Sequence, residues 1–228
     1  MKNKNQDNYY LNKEADDFFE RNRYDFSKLP EKKKALIDQF HTQISNFKID
    51  NILEIGCHIG DLLNYSVDLL NSKKGYGIEP SSSAVNEGKK RFSKCNLIEG
   101  IACDDSVFKE IPECDLTIVN DVFCWVSRQT IFRTIANIDD HVKENGLLII
   151  RDFYPNINVR NQNKHIKDQD VFCHKIKGSH VDLFLQSGNY QLISANVFTD
   201  NENILSKIKD FSSLENRWID VLLQKKWN

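Results

Sequence analysis

Long hydrophobic runs are missing from this chain of 228 residues. The longest uninterrupted apolar stretch, 122–126, is about five residues, against the roughly 20 that a bilayer-spanning helix needs. The first residues, Met-Lys-Asn-Lys-Asn-Gln-Asp, lack the apolar core of a signal peptide, so a cytoplasmic location without membrane insertion is expected. Charge of one sign is also missing: 31 Lys and Arg stand against 33 Asp and Glu. A net charge of −2 gives no basic field for nucleic acid. Six cysteines (Cys57, Cys95, Cys103, Cys114, Cys124, Cys173) form no C-x-x-C pair. Most fall in or beside expected strands, which favours buried thiols over disulfides or zinc. Repeats and low-complexity tracts are absent, and the length suits one domain with appendages.

What is present is concentrated at 51–61, Asn-Ile-Leu-Glu-Ile-Gly-Cys-His-Ile-Gly-Asp. Ile52, Leu53 and Ile55 read as a strand, and Leu63, Val67 and Leu70 beyond the turn share one face of a helix. Gly56 lets the backbone turn sharply and lets a ligand lie against the main chain, while Gly60 permits close packing of the new helix on the strand. A dinucleotide site would show G-x-G-x-x-G with an acid about 20 residues later. Here the spacing is G-x-x-x-G, and Glu54 sits two residues before the first glycine. That carboxylate repels a pyrophosphate and welcomes a cationic ligand. Glu79 ends a second strand, Gly75-Tyr-Gly-Ile-Glu-Pro80, where it can accept both hydroxyls of a ribose.

Together these residues resemble the first two motifs of class I S-adenosylmethionine-dependent methyltransferases, E/D-x-G-x-G-x-G followed by a strand-ending acid. His58 stands where the motif has its middle glycine. The resemblance implies S-adenosylmethionine as cofactor, with Glu54, Gly56, Cys57, His58 and Gly60 around its methionine half. Glu79 and Pro80 would lie at the ribose, Ile101 and Ala102 at the adenine, and Asn120, Asp121 and Val122 near the sulfonium. Ile101 replaces the acid usual at its position, leaving adenine to apolar contacts and backbone groups.

The alternation of strand and helix predicts an α/β fold with a mostly parallel sheet and helices on both faces. Strands end at Glu54 and Glu79 and run over Cys95–Glu99, Leu116–Asn120 and Leu147–Asp152. Helices are expected from an Asn12 cap through Ala15, Phe18 and Phe19, from Pro30 through Phe47, and from Ser81 to Phe92. A further one carries Ile131, Ile135, Ile138 and Val142 and stops before Asn145-Gly146. Tyr190–Phe198 and Trp218–Lys225 are the last strand candidates, and the resemblance implies that they close a seven-stranded, Rossmann-like doubly wound sheet as an antiparallel pair. Residues 1–30 are expected as a lid, 31–152 as the cofactor-binding core, and 153–228 as a substrate loop with terminal strands of the same domain.

Candidate acceptor residues lie in the lid, after the fourth strand and in 153–182, a long stretch with three of the six histidines and few regular apolar positions. His165 and His180 are the candidate general bases, since imidazole titrates near neutrality, and Asp152 can orient the histidine. Tyr10, Arg21, Trp125 and Tyr154 are candidate acceptor contacts, with Lys175 and Lys177 able to neutralise an anionic group. Asp121 and Asp152 with a histidine or asparagine form an alternative Mg²⁺ set, although no metal is the expectation. Arg151-Asp-Phe-Tyr-Pro155, Asn163-Lys-His165 and Val171-Phe-Cys-His-Lys175 are similar to small methyltransferases of bacterial surface-polysaccharide gene clusters. This likeness implies O-methylation of a small sugar-linked or phosphorylated acceptor, including a phosphoramidate, in capsule synthesis. N-methylation of a small amine and a non-catalytic cofactor-binding module are the alternatives. Partners are expected to be a small molecule and at most a second copy of the chain.

Overall fold

Alternate residues of the central strands face opposite layers, and this alternation builds the molecule from both sides of one sheet. In the computed structural model, which describes residues 6–166, 170–199 and 217–226, the sheet comprises β1 (Asn51–Ile55), β2 (Lys74–Glu79), β3 (Cys95–Glu99), β4 (Cys114–Asn120), β5 (Val142–Phe153), β8 (Tyr190–Thr199) and β9 (Arg217–Lys225). The order is β3-β2-β1-β4-β5-β9-β8, parallel from β3 to β5, with β9 antiparallel to β5 and to β8. This is the expected seven-stranded, mostly parallel arrangement.

On one face, Ile52, Leu116, Ile118, Leu147, Ile149 and Leu222 pack against helices α3 (Glu31–Asp38), α4 (His41–Ile44), α5 (Asp61–Leu69) and α6 (Ser82–Arg91). On the other, Leu53, Val119, Leu148, Ile150 and Val221 meet α7 (Ile131–His141) and α8 (Val181–Gln186). Burial of both faces explains why these strands read as nearly continuous apolar runs. Strand β1 pairs with β2 on one side and β4 on the other. Chain direction through the sheet reverses there, which leaves a crevice at the strands' carboxyl ends.

Several boundaries differ from expectation for local reasons. The first helix begins earlier than the Asn12 cap: α1 (Gln6–Tyr9) runs through a π turn, Tyr10–Glu14, into α2 (Ala15–Arg21). Asn12 caps nothing, its amide donating to Asn8 O at 2.6 Å. The helix start is fixed instead by tertiary bonds, Gln6 Nε2 to Phe172 O (2.9 Å) and Ser127 N to Asp7 Oδ1 (2.8 Å). The helix after Pro30 breaks at Gln39, whose side chain leaves the helix to reach Asp220 Oδ2 at 2.6 Å; the break still turns Phe40 and Ile44 into the core. Strand β5 starts at Val142, because Asn145 (φ 62°) and Gly146 form an irregularity within the strand where register shifts against β4. The stretch 153–182 contains a small hairpin, β6 (Val159–Gln162) with β7 (Phe172–Lys175), in place of a plain loop.

All six cysteines are free, and all but Cys103 are buried. Among the described residues, no helix is long and apolar enough to cross a membrane.

Candidate functional site

A crevice of about 1130 Å³ opens over the ends of β1, β2 and β4, larger than the roughly 300–1,000 Å³ of one ordinary ligand pocket. Its floor is the β1–α5 turn. Gly56 adopts φ 70°, and a Cβ there would stand 2.5 Å from Val122 Cγ2, so only glycine lets the end of β4 close on the turn. Gly56 N and Cys57 N both donate to Ile78 O, at 2.8 and 3.1 Å. These bonds tie the turn to β2. Gly60, at φ 79°, begins α5 without lining the crevice, and the Cys57 side chain points into the core.

Glu54 is 2% exposed, and its Oε2 has no hydrogen-bond partner among the described residues while the side chain lines the crevice. Burial drives its carboxyl well above the ordinary value of 4.5, Asp61 adding to the effect and Lys33 opposing it. Glu79, also on the crevice wall, accepts His58 N at Oε2 and Ser81 N at Oε1, both at 2.9 Å. Burial raises its pKa too, against the pull of those two amides. A carboxylate oxygen can accept more than one bond, so each retains capacity for a ligand hydroxyl. Pro80, Ile101, Ala102, Asn120, Asp121 and Val122 complete this lobe.

His58 occupies the middle-glycine position with φ 54°, a left-handed geometry uncommon for a residue with a Cβ. Its ring lies among Phe19, Tyr24 and Phe26, with centroids 5.3, 5.8 and 6.1 Å away. Burial and Lys33 lower its pKa to about 4, so the imidazole is neutral. Lys33 Nζ reaches Asp61 Oδ1 at 2.9 Å, and the Tyr24 hydroxyl donates to the same carboxylate. The N-terminal segment is thereby fastened over the turn. Asp16 fastens it again at the start of α6, accepting Ser81 Oγ (2.6 Å), Ser82 Oγ (3.2 Å) and Ser83 N (3.0 Å).

Tyr10, Arg21, Trp125 and His165 line the crevice, as does Asn163. The Tyr10 and Trp125 rings are 6.2 Å apart. Arg21 is tied to Glu14 at 2.5 Å, and His165 is exposed on the turn after β6. A second lobe spreads over the ends of β5, β9 and β8, where Arg151, Phe198, Trp218 and Asp220 line the wall. Arg151 holds Asp220 with two bonds of 2.7 Å, and its guanidinium lies 5.1 Å from the Phe198 ring. Motif reading passed over this lobe because cross-strand pairing brings its residues together from distant parts of the chain.

His180 is a correction. It is fully buried and away from the crevice, with Nδ1 2.7 Å from Asp152 Oδ2 and Nε2 2.7 Å from Arg128 Nη1. Arg128 can only donate, so Nε2 accepts and the ring proton sits on Nδ1 facing Asp152. Both nitrogens are engaged, which leaves none to take a proton from a substrate. Asp152 is likewise fully buried, accepting also from Ser179 Oγ and His180 N, so it orients His180 and lies outside the crevice wall. Tyr154, Lys175 and Lys177 do not line the crevice either. Tyr154 lies under Arg217, buried Lys175 stacks 3.9 Å from the Phe153 ring, and Lys177 is exposed beside Asn158. No group of three or more His, Cys, Asp or Glu is arranged to hold a metal among the described residues.

Residues 53–148 match the family model described as a methyltransferase domain. Curated proteins give no significant match. The N-methyltransferase NodS from Bradyrhizobium japonicum, solved with S-adenosylhomocysteine, superposes with a TM-score of 0.63 at 12% identity over 92% of this chain and 98% of its own. The 1,6-didemethyltoxoflavin-N1-methyltransferase of Burkholderia thailandensis, with bound 1,6-didemethyltoxoflavin and S-adenosylhomocysteine, gives 0.63 at 8% identity over 86% and 78%. An S-adenosylmethionine-dependent methyltransferase from Clostridium acetobutylicum gives 0.60 at 13% over 88% and 94%. Residues 53–148 are therefore similar to a methyltransferase domain, and the chain around them has the Rossmann-like fold of S-adenosylmethionine-dependent methyltransferases.

Proposed function

We propose that the chain is an S-adenosylmethionine-dependent methyltransferase that O-methylates a small acceptor. The observation that carries this reading is the pair of buried carboxylates, Glu54 and Glu79, ending adjacent strands on the wall of one cavity. Glu54, a crevice residue whose Oε2 has no hydrogen-bond partner among the described residues, matches the ammonium of the methionine moiety; Glu79 matches the ribose, and Ile101 with Ala102 the adenine. A methyl on sulfonium is already activated. The chain's work is to align the acceptor, exclude water and accept a proton.

Residues 6–24 are read as a lid, since Asp16 and the aromatic cluster around His58 hold them over the crevice. The acceptor is read as a sugar-linked or phosphorylated molecule bound in the second lobe, and capsular polysaccharide synthesis is the setting implied by resemblance. An aromatic wall beside planar hydrogen-bonding groups (Phe198, Trp218, Asp220, Arg151) suits a sugar ring, and the exposed Lys32 at its rim suits a phosphate.

Isothermal titration with S-adenosylmethionine and S-adenosylhomocysteine tests the cofactor half of the proposal. One site per chain is expected for each; absence of heat and of thermal stabilisation with both rejects it. Incubating a panel of sugar phosphates and nucleotide sugars with labelled methyl donor tests the acceptor half. Label in a base-stable ether is expected, whereas label on nitrogen redirects the reading to an amine acceptor.

A further inference from the structure

With His180 sealed, the crevice needs another proton acceptor near the turn, and the end of β4 supplies one. Asp121 follows Asn120 directly and has φ 58°. Left-handed backbone at a residue other than glycine costs free energy, and such strain gathers at functional sites. Its amide is pinned to Arg151 O at 3.0 Å, and its Oδ1 accepts the Cys124 thiol at 3.4 Å. The side chain lines the crevice beside Val122, the residue whose methyl closes on Gly56. A ligand that puts its ammonium at Glu54 and its ribose at Glu79 must carry its sulfur across this gap.

We propose that Asp121 is the general base of the methyl transfer, its carboxylate facing the sulfonium and taking the proton of the acceptor hydroxyl. This rests on the cofactor reading above. The carbon–sulfur bond breaks with its electron pair left on a neutral thioether sulfur. The acceptor oxygen bonds the methyl, and its proton passes to an Asp121 oxygen, so charge and atoms balance. Four groups act on Asp121 from the neighbouring elements: Cys124 on the turn after β4, Arg151 and Asp152 on β5, and Lys175 on β7. Burial outweighs the rest and, with Asp152 adding to it, lifts the carboxyl to about 7. This is the range in which a base at neutral pH is most effective.

The two cofactor forms share ammonium, carboxylate, ribose and adenine and differ by one methyl and its positive charge, which permits a test without any acceptor. Proton release on binding is measured by calorimetry at pH 7 in buffers of different ionisation enthalpy. A carboxyl half-protonated at that pH and driven to full ionisation by the sulfonium should release about half a proton more with S-adenosylmethionine than with S-adenosylhomocysteine. In Asp121→Asn, and in Asp121→Gly, which suits the positive φ, the difference should vanish. Equal release with both ligands in the wild type, or a difference that persists in both variants, overturns the assignment. Failure of both ligands to bind overturns the cofactor reading and this inference with it.

Discussion

Asp16 Oδ1 accepts the Ser81 hydroxyl at 2.6 Å, while Ser81 Oγ accepts Ala84 N at 3.0 Å, so one helix start is capped from within and clasped by the N-terminal segment. Burial raises the Asp16 carboxyl, but bonds from Ser81, Ser83 and Ser82 outweigh it and bring the net pKa below the usual range. Asp16→Ala should therefore loosen the N-terminal segment at a cost of about 1 kcal/mol, the scale of a lost helix cap. Hydrogen exchange should accelerate over residues 6–24 and hardly at all in β1, β4 and β5. Because the folded-state pKa is depressed, the clasp is present above the ordinary aspartate pKa and weakens as pH falls through the shifted value.

Glu54→Gln should move stability and affinity in opposite directions. The folded state holds the Glu54 proton above the ordinary pKa of 4.5, so this residue's contribution to stability declines as pH rises from there. Removing a carboxyl whose ionisation burial opposes should raise the melting temperature of the free protein at pH 7. S-adenosylhomocysteine affinity should fall about tenfold or more, as for loss of a charged hydrogen bond. Differential scanning fluorimetry with and without ligand reads both changes. An unchanged affinity would mean that Glu54 does not meet the ammonium.

His180→Ala should act on folding. It leaves Arg128 Nη1 and Asp152 Oδ2 without the ring that joins them, while Arg128 also holds Phe123 O and Val126 O at 2.7 and 2.8 Å. A cost of about 3 kcal/mol is expected in urea unfolding, since breaking a buried charged network leaves its members unpaired. At temperatures where the variant is folded, cofactor affinity should stay near wild type.

Gly56→Ala should hinder cofactor binding through the backbone. The new methyl meets Val122 Cγ2 and forces φ 70° on a residue that avoids it. A loss of at least 1 kcal/mol in stability and a weaker titration are the expected outcomes.

How much of this was legible in the sequence follows from how local each signal is. Glu54, Gly56 and Glu79 sit at the ends of short apolar strands, where period and punctuation mark them, and all three line one crevice. Ser81 caps α6 as its Ser-rich opening suggests. His180 misled because a histidine in a polar stretch looks the same whether it faces solvent or sits between Asp152 and Arg128, 28 and 52 residues away. Asn12 misled because the true helix start depends on Gln6 bonding to Phe172, 166 residues away. The lobe formed by Arg151, Trp218 and Asp220 depends on antiparallel register between β5 and β9, which no local pattern reports.

Diffraction from crystals grown with S-adenosylhomocysteine tests the central claim most directly. The predicted result is density for one molecule with its amino group at Glu54, its ribose hydroxyls at Glu79 and its adenine beside Ile101 and Ala102. An empty crevice at Gly56 in crystals saturated with the ligand, or a molecule bound elsewhere on the chain, would contradict it.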